Sequence, residues 1–562
     1  MKHALRKQIL SISALLLAAT GVYSQRYATE IYSDSEIEVI SDVVYGTNIR
    51  FFPPSADFTT PEAQADVLEL QTIAAQSGDF PPSFYNPADE STTVKIQDLL
   101  LDIYQPMQSV DNTEARPLII YLHTGNFLPP PANGSPTGTK TDSLAIVACS
   151  QWAKRGFVAA SVAYRLGWNP IGNAQERRGT LLNAVYRAIQ DTKQAVRFLK
   201  EDASGDNTFA IDPDKIVLFG EGSGGYVALG YATVDDIPAE INVPKFINPV
   251  TGTSYVNPAI VGDENGLNGA LTLYQENGQN GDINMVVNVG GAIGEITWLE
   301  DGDVPMVAFH AVRDDFAPFD DGTVIVPTTQ ENVVDVSGAN VFIQAANDFG
   351  NNDAFAALTN NDDPFTQQAE SLYGTGPYEI SNDLEVTINS TPNGLYPVIL
   401  PLRPFLQNIA SPWQWWDPNS PLATFVIPQI GITTHQASLA SNPDMSPTQG
   451  RTYLDTIQGY AIPRIMCVLA LEGNECATGI SEKVLENNTS IYPNPSNAAI
   501  TIRNNEESIL RVRLLDITGR VVAEKIVNSN IFRFERGNLN DGVYLMQIFF
   551  DNQQITKKVV FN

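Results

Sequence analysis

The chain has 562 residues, of which 43% are hydrophobic, so it is long enough for more than one domain and a large core. Its net charge of −31 argues against binding to nucleic acid or to an anionic membrane surface. The charge is uneven, because residues 481–562 contain 10 basic and 9 acidic side chains, whereas the residues before them contain 23 and 55. We therefore expect an acidic, soluble main body followed by a nearly neutral tail of a different kind.

The first 24 residues are typical of a secretory signal peptide. Basic residues (Lys2, Arg6 and Lys7) precede an apolar run at 9–19, and small residues follow it before Gln25. This run is too short for a transmembrane anchor, and no later run is long enough to span a bilayer. We predict export of the chain, removal of residues 1–24 and no membrane span.

Three cysteines form neither a disulfide framework nor a cluster of metal ligands. Cys467 and Cys476 can pair in an oxidising compartment. Cys149 lies in an apolar helical pattern, where we expect a buried thiol rather than a nucleophile. We predict that the protein uses no cofactor and no metal.

Strands alternate with helical patterns through the first half of the chain. Apolar β-type runs lie at 94–104, 117–122, 157–166, 215–219, 285–291 and 305–310. An amphipathic helix is predicted from about Arg178 to Lys200. This order predicts an α/β fold with a doubly wound, mostly parallel sheet over 25–478, interrupted by a long insertion at about 327–427.

The run Lys215–Leu229 is an apolar strand that breaks into glycines and resumes with helical spacing. Its centre reads Phe-Gly-Glu-Gly-Ser-Gly-Gly, which resembles the Phe-Gly-Glu-Ser-Ala-Gly-Gly nucleophile elbow of carboxylesterases with the α/β-hydrolase fold. Gly222 stands where that family keeps its serine, and the only hydroxyl, Ser223, comes one residue later. The resemblance implies the hydrolase fold and a turn that positions a nucleophile.

A second segment resembles the oxyanion loop of the same family. His123–Phe127 follows a buried strand and reads His-Thr-Gly-Asn-Phe, beside the His-Gly-Gly-Gly-Phe of esterases and lipases. The resemblance implies that His123, Gly125 and Asn126, together with Gly222 and Gly224, surround the developing negative charge.

The acid of a catalytic triad is predicted at Asp314. The segment His310–Pro318 is similar to the His-Gly-x-x-Asp-x-x-Val-Pro stretch that carries the acid in this superfamily. In a triad, Asp314 would orient a histidine and stabilise the imidazolium. The alternative is a loop acid that caps the next turn.

The base is assigned by elimination among four histidines. His3 leaves with the signal peptide, His123 belongs to the oxyanion loop, and His310 ends a strand. Only His435 follows the acid in the order serine, aspartate, histidine, although it lies more than a hundred residues later. A surface or supporting histidine is the alternative at this position.

Three of the six tryptophans are concentrated in Ser411–Asp417, within the predicted insertion. Exposed, they would offer a stacking platform for an aromatic or carbohydrate ligand. Packed inward, they would form the core of the insertion.

The tail, residues 490–562, follows a linker at 479–489 and contains about six short alternating strands, which predicts a small β-sandwich. Its Tyr-Pro-Asn-Pro at 492–495, its Asp-x-x-Gly-Arg turn at 516–520 and its Gly-Val-Tyr strand at 542–544 resemble the C-terminal sorting domain of type IX secretion. The resemblance implies recognition by that secretion machinery and a secreted or cell-surface location. A carbohydrate-binding sandwich is the alternative.

Two functions remain open at this stage. The first is a secreted carboxylic-ester hydrolase that uses Ser223, His435 and Asp314 for acyl transfer to an extracellular ester, which can be a small molecule or a polymer. The second is a non-catalytic member of the fold that keeps the cleft for a ligand or partner, because Gly222 lacks the attacking group. A peptidase of the same fold rests on analogy alone.

Overall fold

A computed structural model describes residues 26–50, 95–170, 172–237, 239–326, 331–358, 363–381, 384–390, 393–428, 430–471, 489–504, 508–516, 520–550 and 554–562. The chain separates into two compact units, Met1–Gly473 and Asn474–Asn562. The predicted signal peptide, Cys476 and most of the predicted linker lie outside the described residues.

The larger unit contains twelve strands among its described residues. They are β1 (Ile37–Arg50), β2 (Lys95–Pro106), β3 (Arg116–Leu122), β4 (Val158–Val162), β5 (Ile211–Glu221), β6 (Met285–Val289), β7 (Met306–Ala311), β8 (Asp321–Ile325), β9 (Asn332–Ser337), β10 (Tyr378–Ser381), β11 (Leu384–Val386) and β12 (Leu395–Val398). Eight of them form one sheet in the order β1-β2-β4-β3-β5-β6-β7-β12. The six strands from β4 to β12 are parallel to one another, whereas β1 pairs antiparallel with β2, and β2 with β4. The mostly parallel sheet confirms the predicted fold class.

Helices of the larger unit follow the strands along the chain. They are α1 (Ser143–Lys154), α2 (Ala174–Ser204), α3 (Ser223–Thr233), α4 (Pro258–Val261), α5 (Ala339–Phe349), α6 (Pro364–Glu370), α7 (Thr434–Ser438) and α8 (Pro447–Val468). Helix α1 packs with α8, and α2 packs with α3. Strands β3, β4, β6 and β7 are buried along their whole length, as expected when helices cover both faces of a sheet.

Three elements differ from their sequence predictions. Helix α2 begins at Ala174, because the Asn173 side chain caps it by accepting hydrogen bonds from the backbone N–H groups of Gln175 and Glu176. Helix α8 continues through Pro463, whereas the sequence pattern predicts two separate helices, at 453–463 and 464–471. Strand β12 lies inside the stretch predicted as an insertion, yet it pairs with β7 in the main sheet.

The tryptophan cluster packs inward. Trp413, Trp415 and Trp416 are all buried, and the Trp413 ring meets the Phe309 ring of β7 edge-on at a centroid distance of 5.7 Å. The stacking-platform alternative therefore does not describe this cluster, which forms part of the core around the end of β7.

A buried ion pair joins the end of the β4 segment to helix α2. The Arg165 guanidinium lies 2.7 Å from an Asp191 carboxylate oxygen, and both side chains are almost completely buried. Asp191 also accepts hydrogen bonds from the Arg165 backbone N–H and the Tyr274 hydroxyl, and Arg165 donates to the Ile49 carbonyl. Four segments of the unit therefore converge on one carboxylate and one guanidinium.

The smaller unit is a β-sandwich. Its described strands are β13 (Thr489–Tyr492), β14 (Ala499–Asn504), β15 (Ile509–Leu515), β16 (Val521–Ser529), β17 (Ile531–Glu535), β18 (Gly542–Phe549) and β19 (Gln554–Phe561). They form a three-stranded sheet, β13-β14-β17, and a four-stranded sheet, β16-β15-β18-β19. Side chains from both sheets, including Ile502, Phe534 and Met546, share one apolar core.

Two further observations concern the cysteines and the membrane. Cys467 is disulfide-bonded. Cys149 is a buried free thiol, as predicted, and burial raises its pKa well above the usual value. Over the described residues, no helix combines the length and the apolar character needed to cross a membrane.

We predict that Asp191→Asn lowers the free energy of unfolding by about 3–5 kcal/mol, because it leaves the Arg165 charge buried without its counter-ion. The matched control is Asp212→Asn, which breaks the more exposed pair with Lys215 at 2.9 Å and should cost no more than about 1 kcal/mol. Chemical denaturation followed by tryptophan fluorescence measures both changes. Equal losses in the two variants would contradict the central role given to Asp191.

Candidate functional site

The turn between β5 and α3 is made by a single residue, Gly222. Its backbone has φ 54° and ψ −116°, a conformation that glycine adopts readily and other residues adopt only with strain. Its N–H donates to the Val289 carbonyl of β6 at 2.8 Å. A Cβ atom at Gly224 would lie closer than 3.0 Å to the backbone of Leu122, so the start of α3 must approach β3 without a side chain.

Thr124 occupies the space that a side chain at Gly222 would need. A Cβ atom added to Gly222 would lie closer than 3.0 Å to Thr124 Oγ1 and 3.1 Å from Thr124 Cβ. Gly222, the departure in the elbow, and Thr124, one of the two departures in the oxyanion loop, are thus direct spatial neighbours. Thr124 Oγ1 thus lies where the Cβ of any side chain at position 222 would be.

Ser223 is the first residue of α3 and is buried. Its hydroxyl lies 3.3 Å from the Tyr164 hydroxyl, and the Tyr164 hydroxyl donates to the His123 carbonyl at 2.6 Å. Because the one tyrosine proton is directed at that carbonyl, Ser223 is the donor in its contact with Tyr164. The serine proton therefore points to a phenol oxygen rather than to an imidazole.

The oxyanion-loop residues adopt left-handed backbone conformations. Gly125 has φ 129° and Asn126 has φ 55°, and the Asn126 carbonyl accepts a hydrogen bond from the Trp168 indole at 2.7 Å. Asparagine tolerates this region better than most residues, which explains how the loop keeps its shape without its third glycine. Both residues line the same cavity as Gly222.

The His123 side chain contacts Tyr164 and the backbone of this loop. Its ring stacks on Tyr164 at a centroid distance of 4.5 Å, and its Nδ1 lies 2.6 Å from the Thr124 carbonyl. A carbonyl oxygen only accepts, so Nδ1 carries the proton. Burial lowers the pKa of His123 to about 4, so the ring is neutral at physiological pH.

Asp314 lies in the loop after β7 and lines the cavity. One of its oxygens accepts from the backbone N–H groups of Phe316 and Ala317 at 2.8 and 2.9 Å. The other lies 3.8 Å from His310 Nε2, which is itself 3.0 Å from the Ala317 carbonyl. Burial raises the pKa of Asp314 to about 7. Its contacts are those of an acid that caps a turn, the alternative considered from the sequence.

His435 lies in the short helix α7, where its Nδ1 accepts a hydrogen bond from the Trp416 indole at 3.1 Å. Indole only donates, so the proton of a neutral His435 is on Nε2. A triad base needs the opposite tautomer, with Nδ1–H directed to the acid and Nε2 accepting from the nucleophile.

The structure brings together some of the predicted site residues. Gly125, Asn126, Gly222, Ser223 and Asp314 line one cavity, whereas His123, Gly224 and His435 are not among its described lining residues. Within the part of the chain that the structure describes, no hydrogen bond links Ser223, Asp314 and His435 to one another. The assignment of catalytic roles to these residues stays a prediction, because lining a common cavity does not by itself make a triad.

Gln407 lines the cavity, although no sequence pattern selects it as a site residue. It follows β12 in the chain, next to Asn408, whose backbone N–H and side-chain amide both donate to Asp315 at 2.7 and 3.0 Å. The segment after β12 is thereby tied to the loop that carries Asp314 and Asp315. The sequence pattern does not show that β12 joins the main sheet. Only that pairing identifies the segment after β12 as part of the cavity.

The cavity lies at the carboxyl ends of β3, β5, β6 and β7 and has a volume of about 580 Å³. Sites of open α/β sheets occur at this edge, and the volume is typical of small-molecule pockets. One wall is formed by the first half of helix α2, and another by the segment at 407–442.

Comparison with known families agrees with this architecture. Residues 101–326 match the family described as BD-FAE, an esterase-like α/β-hydrolase family, and residues 490–562 match the secretion system C-terminal sorting domain. The chain carries an esterase-type α/β-hydrolase domain and a secretion sorting domain. The sorting domain assigns the protein to type IX export, and thus to the cell surface or the surrounding medium.

Individual proteins that are similar to the hydrolase domain have low sequence identity to it. "Secreted lipase 5" of Gibberella zeae is 29% identical over 142 residues, which cover 24% of this chain and 24% of the lipase. The chain thus matches about a quarter of the length of that curated relative. Propionate-bound esterase 2 of Thermogutta terrifontis is 20% identical, with a TM-score of 0.27 over 42% of this chain and 73% of the esterase. MGS-M1, an α/β-hydrolase from a deep-sea metagenome, is 16% identical, with a TM-score of 0.23 over 39% and 66%.

We predict that Gly222→Ser destabilises the hydrolase domain by roughly 2–5 kcal/mol, through backbone strain and overlap with Thr124. Adding Thr124→Gly removes the overlap, so the double variant should recover the part of the stability that the overlap costs. Gly252→Ser is the matched control, because Gly252 has φ 72° with no atom within 4 Å of an added Cβ, so it tests strain alone. Thermal and chemical denaturation compare the variants, and a double variant no more stable than Gly222→Ser would contradict the reciprocal packing.

A second prediction concerns pH. The pKa of Asp314 is raised to about 7 in the folded protein from an ordinary value of 3.8, so between these values the folded state binds more protons than the unfolded state at this group. Its contribution to the free energy of unfolding therefore falls as pH rises from about 4 to 7. Asp314→Asn removes this dependence on pH. Between pH 4 and pH 8, the free energy of unfolding of the variant should therefore rise relative to that of the wild type by up to roughly 4 kcal/mol. Denaturation curves across this range would contradict the prediction if the difference between the two proteins did not change with pH.

Proposed function

We propose that the hydrolase domain is an exported ligand-binding protein that does not hydrolyse esters through a serine. The observation that carries this proposal is the packing of Thr124 into the side-chain space of Gly222, at the position from which an elbow nucleophile would act. The chain keeps the turn, the oxyanion loop and the cavity, which together provide a binding site without an attacking group.

The arrangement around Ser223 supports the same conclusion. A nucleophilic serine needs a base within hydrogen-bond reach, and the base needs an orienting acid. The Ser223 hydroxyl instead contacts Tyr164, and the Asp314 carboxyl is engaged by its own loop.

The state of His435 is a third line of support. Its Nδ1 is occupied by the Trp416 indole, which fixes the tautomer opposite to that of a triad base. To act on Ser223, His435 would have to leave Trp416 and reach a cavity to which its side chain does not contribute among the described lining residues.

Ester hydrolysis through Ser223, His435 and Asp314, with Gly125 and Gly224 near the oxyanion, is the second candidate. One observation favours it: Ser223 and Asp314 both line the cavity, and Ser223 begins the helix that supplies backbone N–H groups in hydrolases. The substrate would be a small or polymeric extracellular ester.

For the whole chain, we propose the organisation read from the sequence. Residues 1–24 are a signal peptide, 25–478 the hydrolase domain, 479–489 a linker and 490–562 the sorting domain recognised by the type IX machinery. Sequencing the amino terminus of the exported protein tests the first boundary, and a start other than residue 25 would require its revision.

We expect no hydrolysis of short-chain aryl esters by the mature protein above the uncatalysed rate, and no difference between wild type, Ser223→Ala and His435→Ala. A fluorophosphonate probe, which labels activated serines, should leave Ser223 unmodified. Mass spectrometry of the probe-treated protein checks the second point independently of any choice of substrate.

The hydrolase alternative makes the opposite forecast. Triad residues act as a unit, so turnover by the wild type together with losses of roughly 10³-fold or more in both variants would overturn the binding proposal. Cys149→Ser serves as a control for reagent specificity, because Cys149 is buried in α1 and belongs to neither candidate mechanism.

A further inference from the structure

The cavity is almost free of charge, although the chain as a whole is strongly acidic. Asp314 is the only carboxylic acid among the described residues that line it, and none of those residues is a lysine, arginine or histidine. Since an unpaired charge is costly to bury, a ligand enclosed here is favoured when it carries no formal charge.

One wall of the cavity is apolar and regular. Leu181, Leu182, Val185 and Ile189 project from α2 at helical spacing and line the cavity together with Trp298. The entrance is apolar as well, because Ile430 and Ile432 line the cavity while being 48% and 39% exposed. An alkyl chain matches a wall of this kind, since it gains from burial without needing a hydrogen-bond partner.

Hydroxyl and amide groups form another wall. The Ser135 hydroxyl lies 2.9 Å from that of Thr137 and 3.4 Å from that of Ser438, and the Thr137 hydroxyl lies 3.4 Å from the Gln414 amide oxygen. The Gln414 amide nitrogen donates to the buried Glu221 carboxyl at 2.7 Å, which fixes its orientation. Hydroxyl groups both donate and accept, so this wall suits a neutral polyol head group.

We propose that the cavity binds an uncharged single-chain amphiphile of the alkylglycerol or acylglycerol type, with its chain along the α2 wall and its hydroxyl groups against Ser135, Thr137 and Gln414. This inference rests on the proposed function, because it takes the cavity to retain its ligand rather than to cleave it. The observation that carries it is the juxtaposition of the two walls in a cavity whose only described carboxyl group is that of Asp314.

The test uses calorimetry on the mature full chain with three amphiphiles of equal chain length, below their micellar concentrations: a 1-O-alkylglycerol, an alkyl sulfate and an alkyltrimethylammonium. The alkylglycerol contains no ester, so its binding is independent of hydrolysis. We expect it to bind at least about 100-fold more tightly than either charged probe. Its affinity should rise by up to about fourfold per added methylene until the cavity is full.

Two substitutions examine the two walls. Thr137→Val removes one hydroxyl at nearly constant shape and should weaken alkylglycerol binding roughly 3- to 10-fold. Val185→Asp places a carboxylate in the apolar wall and should abolish binding, whereas Val250→Asp, at a site that is 82% exposed, should leave it unchanged. The probe panel on the wild-type protein decides the proposal even if Val185→Asp fails to fold.

Failure of this inference and failure of the proposed function give different results. Tighter binding of a charged probe, or no binding of the alkylglycerol, would overturn the ligand class and leave the non-hydrolytic proposal standing. Release of fatty acid from the matching monoacylglycerol, abolished by Ser223→Ala, would overturn the non-hydrolytic proposal while supporting the ligand class. Binding of the alkylglycerol without release of fatty acid supports both.

Discussion

The architecture of the hydrolase domain depends on the reversal of the chain at Gly222, where β5 becomes α3 within one residue. The backbone there has a positive φ, is anchored to Val289 of the neighbouring strand, and starts a helix that packs closely on the end of β3. These constraints fix the position of the helix N-terminus relative to the oxyanion loop. The cavity lies where the carboxyl ends of four neighbouring strands, β3, β5, β6 and β7, meet.

Around that turn, groups that resemble catalytic parts serve as structural supports. Tyr164 joins the His123 carbonyl to the Ser223 hydroxyl, and Asp314 secures its own loop through two backbone N–H groups. Arg165, the residue after Tyr164, forms the buried pair with Asp191 that connects β4, α2 and two further segments. These neighbouring residues therefore connect the strand ends of the sheet to helix α2 through buried contacts.

Much of the fold could be predicted from the sequence, because it depends on local patterns. Continuous apolar runs mark the buried strands β3 to β7, and alternation of apolar and polar residues marks the strands of the sorting domain. Both patterns are visible in a single sequence. The site could be predicted only in part. Thr124 and Gly222 lie ninety-eight positions apart in the chain. They become neighbours only through tertiary packing. Likewise, the tautomer of His435 depends on its hydrogen bond with Trp416. The location of Gln407 at the cavity depends on where β12 joins the sheet.

The reciprocal packing of Thr124 and Gly222 also bears on how this protein can change over evolutionary time. A mutation that introduces serine at position 222 alone must place its Cβ where Thr124 Oγ1 already lies. A mutation that shortens Thr124 alone removes the side chain that packs against Gly222. The two positions are therefore epistatically coupled, so the effect of a side chain at position 222 depends on which residue stands at position 124.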